Sequence, residues 1–175
     1  LHHLKIKKMK VEKDNVVFIS YVISSLDDQQ VVGQATAAEP FGYIHGHQFA
    51  LPALEEKLEG LHVGDTFDFI LHPNEAFGEY YEDNTVKYPI KAFRDQDYPE
   101  ELLVVGEIVP LQDEDGYPLD GIITEIDSEF VHIDFNHPLA GKVLHYQGKI
   151  LDIRPATAEE LLQGVVKGIN PNRYI

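Results

Sequence analysis

The sequence predicts an α+β fold: a mostly antiparallel sheet with a short packed helix, interrupted by an inserted, mostly-β lobe. Three observations predict it. Strand-like alternation stands near both ends of the 175-residue chain. One segment of helical period lies between them, and a second cluster of strand signals fills the middle.

The first strand is "NVVFISYVISS", in which Val17, Ile19, Tyr21 and Ile23 alternate onto one face before the turn-forming Asp27-Asp28. "VVGQA" reads as a short second strand. From Leu51 to Gly60 the apolar positions Leu51, Leu54 and Leu58 follow the i, i+3, i+7 spacing of a one-faced helix. Pro52 suits its first position, where a backbone N–H would be unpaired anyway, and Gly60 suits its stop. "DTFDFILH" alternates again through Phe67, Phe69 and Leu71 until His72-Pro73-Asn74 ends it. "ELLVV", "GEIVPLQ", "PLDGIITEI" and "EFVHIDF" are the strand signals of the middle. "KVLHYQGKILDI" is a last long strand, and "TAEELL" begins a helix with Thr157 as cap and Glu160 at the capping-box position. The expected organisation is therefore a discontinuous domain over 9–84 and 136–168 and an inserted lobe over 85–135. Residues 1–8, ahead of the single methionine Met9, are read as a tag or extension. "EYYEDN" and "NHPLAG" are the expected joints.

Thirty acidic residues against 14 Lys and Arg give a formal charge of −16. Nucleic acid binding needs a cationic track to release counterions, so it is excluded as a function class, and anionic membrane surfaces are disfavoured. The absence of cysteine excludes thiol nucleophiles, disulfide frameworks and cysteine zinc sites. No apolar stretch approaches a bilayer span of ~20 residues. The basic "LHHLKIKKMK" lacks the apolar centre of a signal peptide. A cytoplasmic location is the expectation.

The segment "YIHGHQFALPALEEKLEG" invites a metal reading of His45 and His47, but a site needs three or four converging ligands, and no further ligand pattern accompanies the pair. The histidines are read as shaping a loop by hydrogen bonding. "LQDEDGYPLDGI" fails as a calcium loop because Leu111 and Ile122 stand where carboxylates are needed, leaving an acidic hairpin turn. Pairs such as Glu55-Glu56 fall on solvent faces or first helical turns. No G-x-S-x-G turn and no phosphate-cradling glycine loop occurs. What remains is a density of aromatic and aliphatic residues near turns: Tyr21, Tyr43, Leu51, Leu54, Phe77 and Tyr146.

"MKVEKDNVVFISYVI", "YIHGHQFALPALEEKLEGLHVGDTFDF", "PNEAFGEY" and "NHPLAGKVLHYQGKILDIRPATAEEL", in this order, resemble the SlyD-like branch of the FKBP-type peptidyl-prolyl isomerases. The resemblance runs from Met9 to about Gly164. It implies an FKBP-like antiparallel sheet with the lobe inserted in its flap. It further implies a prolyl residue held in an aromatic pocket, and a lobe whose apolar surface holds unfolded chains. By the same resemblance Tyr21, Tyr43, Leu51, Leu54, Phe77 and Tyr146 are the catalytic pocket, while Ala50 and Gly33 stand at substrate-binding positions. Clients would be unfolded or proline-containing polypeptides, the chain a monomer, and no cofactor or metal is implied; "GVVKGINPNRYI" has none of the His and Cys of nickel-binding relatives.

Three departures stand out. Phe77 replaces a usual tyrosine, Gly33 a frequent aspartate, and Ala50 a larger aliphatic. They raise an alternative, a holdase-type chaperone or peptide-binding module with a weakened prolyl pocket.

Overall fold

The computed structural model describes Leu4 and residues 6–166. Half of the expected extension (Leu1, His2, His3 and Lys5), the expected domain end at 167–168 and the tail beyond it lie outside the described residues.

The strands are β1 (Asn15–Ser25), β2 (Val31–Ala35), β3 (Phe41–Ile44), β4 (Thr66–Leu71), β5 (Thr85–Pro89), β6 (Ile108–Gln112), β7 (Pro118–Ile126), β8 (Phe130–Asp134) and β9 (Leu144–Pro155). The helices are α1 (Pro52–Leu58), α2 (Ile90–Asp95) and α3 (Ala158–Gln163), with single 3₁₀ turns at Pro73–Glu75, Glu82–Asn84 and Glu100–Leu102.

Two compact units form: one runs through Gly78 and resumes at Gly141, the other is Glu79–Ala140. In the first unit β1 pairs antiparallel with β9 along its whole length, from Asn15 opposite Pro155 to Ser25 opposite Leu144, with one bulge between Phe18 and Ile19. The other edge of β1 is shared end to end: β3 pairs with Val16–Ile19 and β2 with Tyr21–Ser24. β4 pairs with the far edge of β9, completing an all-antiparallel sheet. The alternation of β1 then decides the burial. Val17, Ile19, Tyr21 and Ile23 are buried, whereas Val22 on the opposite face is 41% exposed.

α1 begins at Pro52, buries Leu54 and Leu58, and ends where Gly60 takes φ +83°. α3 shows the capping box read from the sequence. The Thr157 hydroxyl accepts from the Glu160 N–H at 3.1 Å, and the Glu160 carboxylate accepts from the Thr157 N–H at 3.0 Å. Arg154 then holds the same carboxylate in a fork at 2.7 and 2.8 Å, which neutralises a buried charge.

The second unit is a four-stranded antiparallel sheet in the order β5-β8-β7-β6, built on a core of Phe93, Val109, Ile123, Val131 and Ile133. The acidic β6–β7 turn is braced by Asp113, whose carboxylate accepts from the N–H groups of Asp115 and Tyr117, both at 2.9 Å. The β7–β8 turn is braced by Asp127, which accepts from Glu129 and Phe130 N–H and meets His132 Nε2 at 3.1 Å. His132 first, then those N–H groups, draws the Asp127 carboxyl down to about 2.

Some expectations need correction. "ELLVV" is no strand: it is a 3₁₀ turn after Pro99 followed by exposed Val104 and Val105, apolar residues without a partner strand. The lobe's first strand is instead β5, an edge strand that tolerates its terminal Pro89. The second unit, Glu79–Ala140, is wider than the expected lobe 85–135, and its boundaries fall at the start of "EYYEDN" and inside "NHPLAG". Tyr81 N–H donates to Asn136 Oδ1 at 3.0 Å, Asn136 Nδ2 donates to the Tyr81 carbonyl at 2.8 Å, and Phe135 N–H donates to the Asn84 carbonyl at 2.9 Å. These bonds tie the two chain passages together within Glu79–Ala140, so "EYYEDN" and all of "NHPLAG" except Gly141 fall in the second unit.

The β1–β9–β4 packing rests on Gly148, which faces Tyr21 on one side and Phe67 on the other. A Cβ there would stand 2.1 Å from the Ser20 carbonyl oxygen and 2.4 Å from the Phe67 ring. Gly148→Ala is expected to destabilise the protein by about 3 kcal/mol, read as a lower urea midpoint. An unchanged midpoint would contradict the close approach.

Candidate functional site

In antiparallel pairing, side chains directly opposite one another share a face, as do those two positions along. The register therefore lays two rows across one face of the first unit's sheet: Phe67–Gly148–Tyr21–Ala35 and Phe69–Tyr146–Ile23–Gly33. Phe69 stacks on Tyr146 with centroids 5.4 Å apart and planes 11° apart, and Phe67 tilts against Phe69 at 5.7 Å. Along the β3 side Tyr21 meets the edge of Phe41 at 6.1 Å, and Phe41 stacks on Tyr43 at 5.9 Å. Offset and edge-to-face contacts of this kind add about 0.5–1.5 kcal/mol per pair beyond burial. The result is an aromatic wall of two ring groups, Phe67–Phe69–Tyr146 and Tyr21–Phe41–Tyr43, on one sheet face.

Tyr21, Tyr43 and Tyr146 of the expected pocket belong to this wall, and all three are buried. Leu54 is fully buried in α1 and Ala50 is buried just before it, while half-buried Leu51 is the N-terminal cap of that helix. Phe77 is half-buried in the turn after the 3₁₀ segment Pro73–Glu75. Gly33 lies on β2, two strands from Tyr146 in the same row. A Cβ at Gly33 would meet Ile23 at 3.6 Å and Tyr21 at 3.8 Å, ordinary contacts, so the position has room for a side chain that this sequence omits.

Three aromatic contributors were missed in the sequence reading of the site. Phe41 lies in β3, a four-residue strand buried at every position, so alternation offers no signal there. Phe67 and Phe69 were placed on one face of a strand but not linked to Tyr146, because the link is a long-range register.

The wall is apolar apart from its hydroxyls. Burial, and then the negative charges of Glu55 and Glu59, push the Tyr43 phenol far above its ordinary value, so it stays protonated. Burial, then Tyr21, does the same to Tyr146. The Tyr146 Oη is buried and has no hydrogen-bond partner among the described residues.

The His45-Gly46-His47 segment leads from β3 toward α1 as a hydrogen-bonded loop. Gly46 has φ +89°, and a Cβ there would stand 2.8 Å from Lys13 Cγ, which explains the glycine between the histidines. His47 Nε2 meets Asp14 at 2.5 Å. Glu55, itself buried, accepts from Gly46 N–H at 3.3 Å. Burial raises its carboxyl above the usual range against the lowering pull of His45 and of the loop's N–H groups. Both nitrogens of His45 are engaged: Nδ1 with the Tyr43 hydroxyl at 3.0 Å and Nε2 with Glu59.

Similar proteins are known. Residues 7–102 match the family described as FKBP-type peptidyl-prolyl cis-trans isomerase. The FKBP-type peptidyl-prolyl cis-trans isomerase SlyD of Haemophilus influenzae is 40% identical over 160 residues, 91% of this chain and 81% of that protein. Proteins of the same description from Aeromonas hydrophila and Escherichia coli strain K12 are each 36% identical over 160 residues, or 91% of this chain. That span covers 72% and 79% of their own lengths.

Tyr146→Phe removes a buried hydroxyl with no partner and keeps the stacked ring. It is expected to raise stability by about 1 kcal/mol, seen as a higher urea midpoint at unchanged slope. A loss of stability would mean that the hydroxyl holds a partner in solution.

Proposed function

Because the chain belongs to the FKBP-type peptidyl-prolyl cis-trans isomerases, we propose that the aromatic wall of its first unit holds the prolyl residue while the preceding peptide bond turns. Tyr21, Tyr43, Leu51, Leu54, Phe77 and Tyr146 form the pocket in this reading, with Ala50 and Gly33 beside the bound chain. The observation that carries it is the wall itself: buried and half-buried rings from β1, β3, β4 and β9 sharing one sheet face.

The reaction breaks no bond. Its barrier of ~18–20 kcal/mol is amide resonance, and the twisted transition state loses the charge separation of the planar amide. Apolar surroundings therefore disfavour the planar state more than the twisted one, and shape complementarity to the twisted state lowers the barrier further. Neither a nucleophile nor a proton donor is required. Phenols held protonated by burial suit such a site, since they add no charge to it.

The inserted lobe serves in this reading as the surface that captures unfolded chains. Val104, Val105, Ile108 and Tyr117 are each at least half exposed. A cleft of about 170 Å³ on the same unit is lined by Tyr88, Phe93, Tyr98, Val109 and Leu111 among others. Exposed apolar surface of this extent supports contact with non-native polypeptide. Clients are unfolded or proline-containing chains, one copy of the protein suffices because one chain supplies the entire wall, and the absence of cysteine suits a reducing cytoplasm. No helix among the described residues is long and apolar enough to cross a membrane.

Phe77 and Gly33 favour a second reading, a holdase with a slow pocket, since each omits a polar group at a position the site uses. Refolding of a proline-limited, disulfide-free protein separates the two. Acceleration by substoichiometric amounts of this chain is expected, and Phe77→Tyr should raise kcat/KM about two- to tenfold if the restored hydroxyl bonds the substrate carbonyl in the transition state. Suppressed aggregation at equimolar protein with no acceleration would make the chain a holdase.

A further inference from the structure

The wall residue Tyr43 is tied to a buried relay that ends on the surface. Tyr43 and His45 are 2% and 3% exposed, whereas the Glu59 side chain that meets His45 is 55% exposed. Glu59 stands at the C-terminal cap of α1, where the negative end of the helix dipole disfavours a carboxylate. Among the described residues its compensating partner is His45.

The direction of the relay follows from donor and acceptor chemistry. An ionised carboxylate only accepts, so His45 Nε2 carries a proton toward Glu59. In neutral imidazole Nδ1 is then an acceptor, and it receives the Tyr43 Oη–H, which burial and the nearby carboxylates keep in place. The backbone fixes the ring from below: His45 N–H donates to the Asn15 carbonyl at 2.9 Å and its carbonyl accepts from Asp14 N–H at 3.1 Å.

We propose that His45 is a positioning residue for prolyl isomerisation: held by Glu59, its Nδ1 takes the Tyr43 hydroxyl and locks the ring that walls the pocket. The proposal rests on the reading of Tyr43 as pocket wall. The χ2 torsion of a tyrosine is broad and soft; burial and stacking on Phe41 restrain the ring, and the bond to His45 at its far end fixes the tilt further. The same bond withholds the Tyr43 hydroxyl from the bound peptide, which meets only the ring face.

The test measures kcat/KM on a proline tetrapeptide, corrected for the folded fraction, in Tyr43→Phe, His45→Leu, His45→Asn and the double variant Tyr43→Phe/His45→Leu. Each of Tyr43→Phe and His45→Leu is expected to lose about three- to tenfold, and the double variant no more than either, because both remove one bond. His45→Asn, which offers an amide oxygen near the place of Nδ1, should recover most of the loss. Nitrogen-15 spectra of the wild-type ring should show the proton on Nε2. Losses that multiply in the double variant, a ring protonated on Nδ1, or a lower Tm in His45→Leu with unchanged kcat/KM would overturn the proposal. Tyr43→Ala separates the two levels. If it costs activity while His45→Leu does not, only the positioning role fails; if it costs none, the pocket reading fails with it.

Discussion

The pairing of β1 with β9 is the constraint on which the rest depends. These strands lie on opposite sides of the inserted unit in sequence, yet they match residue for residue from Asn15/Pro155 to Ser25/Leu144. That register sets Tyr146 beside Ile23 and empties the position opposite Tyr21, because Gly148 stands there. Phe67 folds into the space so created. A slip of one residue would send every ring to the opposite face, and the aromatic wall would cease to exist. Loop-closure entropy grows only slowly with length, so a long insertion between β4 and β9 is thermodynamically tolerable, although the non-local pairing slows folding.

Helix α1 depends on the same frame from the other side. Its fully buried Leu54 and Leu58 anchor it, while Glu55 and Glu59 reach back to the loop that leaves β3. Buried carboxylate and imidazole together would be costly if unpaired; here each finds a partner in the other element. The loop Tyr43–Gln48 is thereby clamped between strand and helix, and the wall of the site is tied to a residue that water can reach.

Much of this was legible in the sequence where local chemistry decides local structure. Alternation in "NVVFISYVISS", Pro52 and Gly60 around α1, and Thr157 with Glu160 at α3 all specify what forms. Elements without periodicity escaped. β3 is four residues with Gly42 inside and every position buried, and α2 is only six residues long. The apolar run "ELLVV" reads as strand by composition but has no partner, and partners are a tertiary matter. Of the proposed site, Tyr21, Tyr43 and Tyr146 come from the resemblance rather than from spacing. The Tyr43–His45–Glu59 relay was not found at all, since its last two members stand fourteen positions apart with a helix between them. The reading of the two histidines as loop-shaping was correct in kind and silent on partners.

The chemistry proposed for the site explains why no motif announces it. Turning an amide needs a dry, shaped surface rather than a titrating group, and such a surface resembles an ordinary core until the register is known. The measurement that tests this most directly is a titration of the labelled protein with a proline tetrapeptide, followed by amide and aromatic NMR shifts. Saturable shifts concentrated on Tyr21, Phe41, Tyr43, Leu54 and Tyr146 are the expected result. Shifts confined to Glu79–Ala140, with the aromatic wall unmoved, would contradict the account.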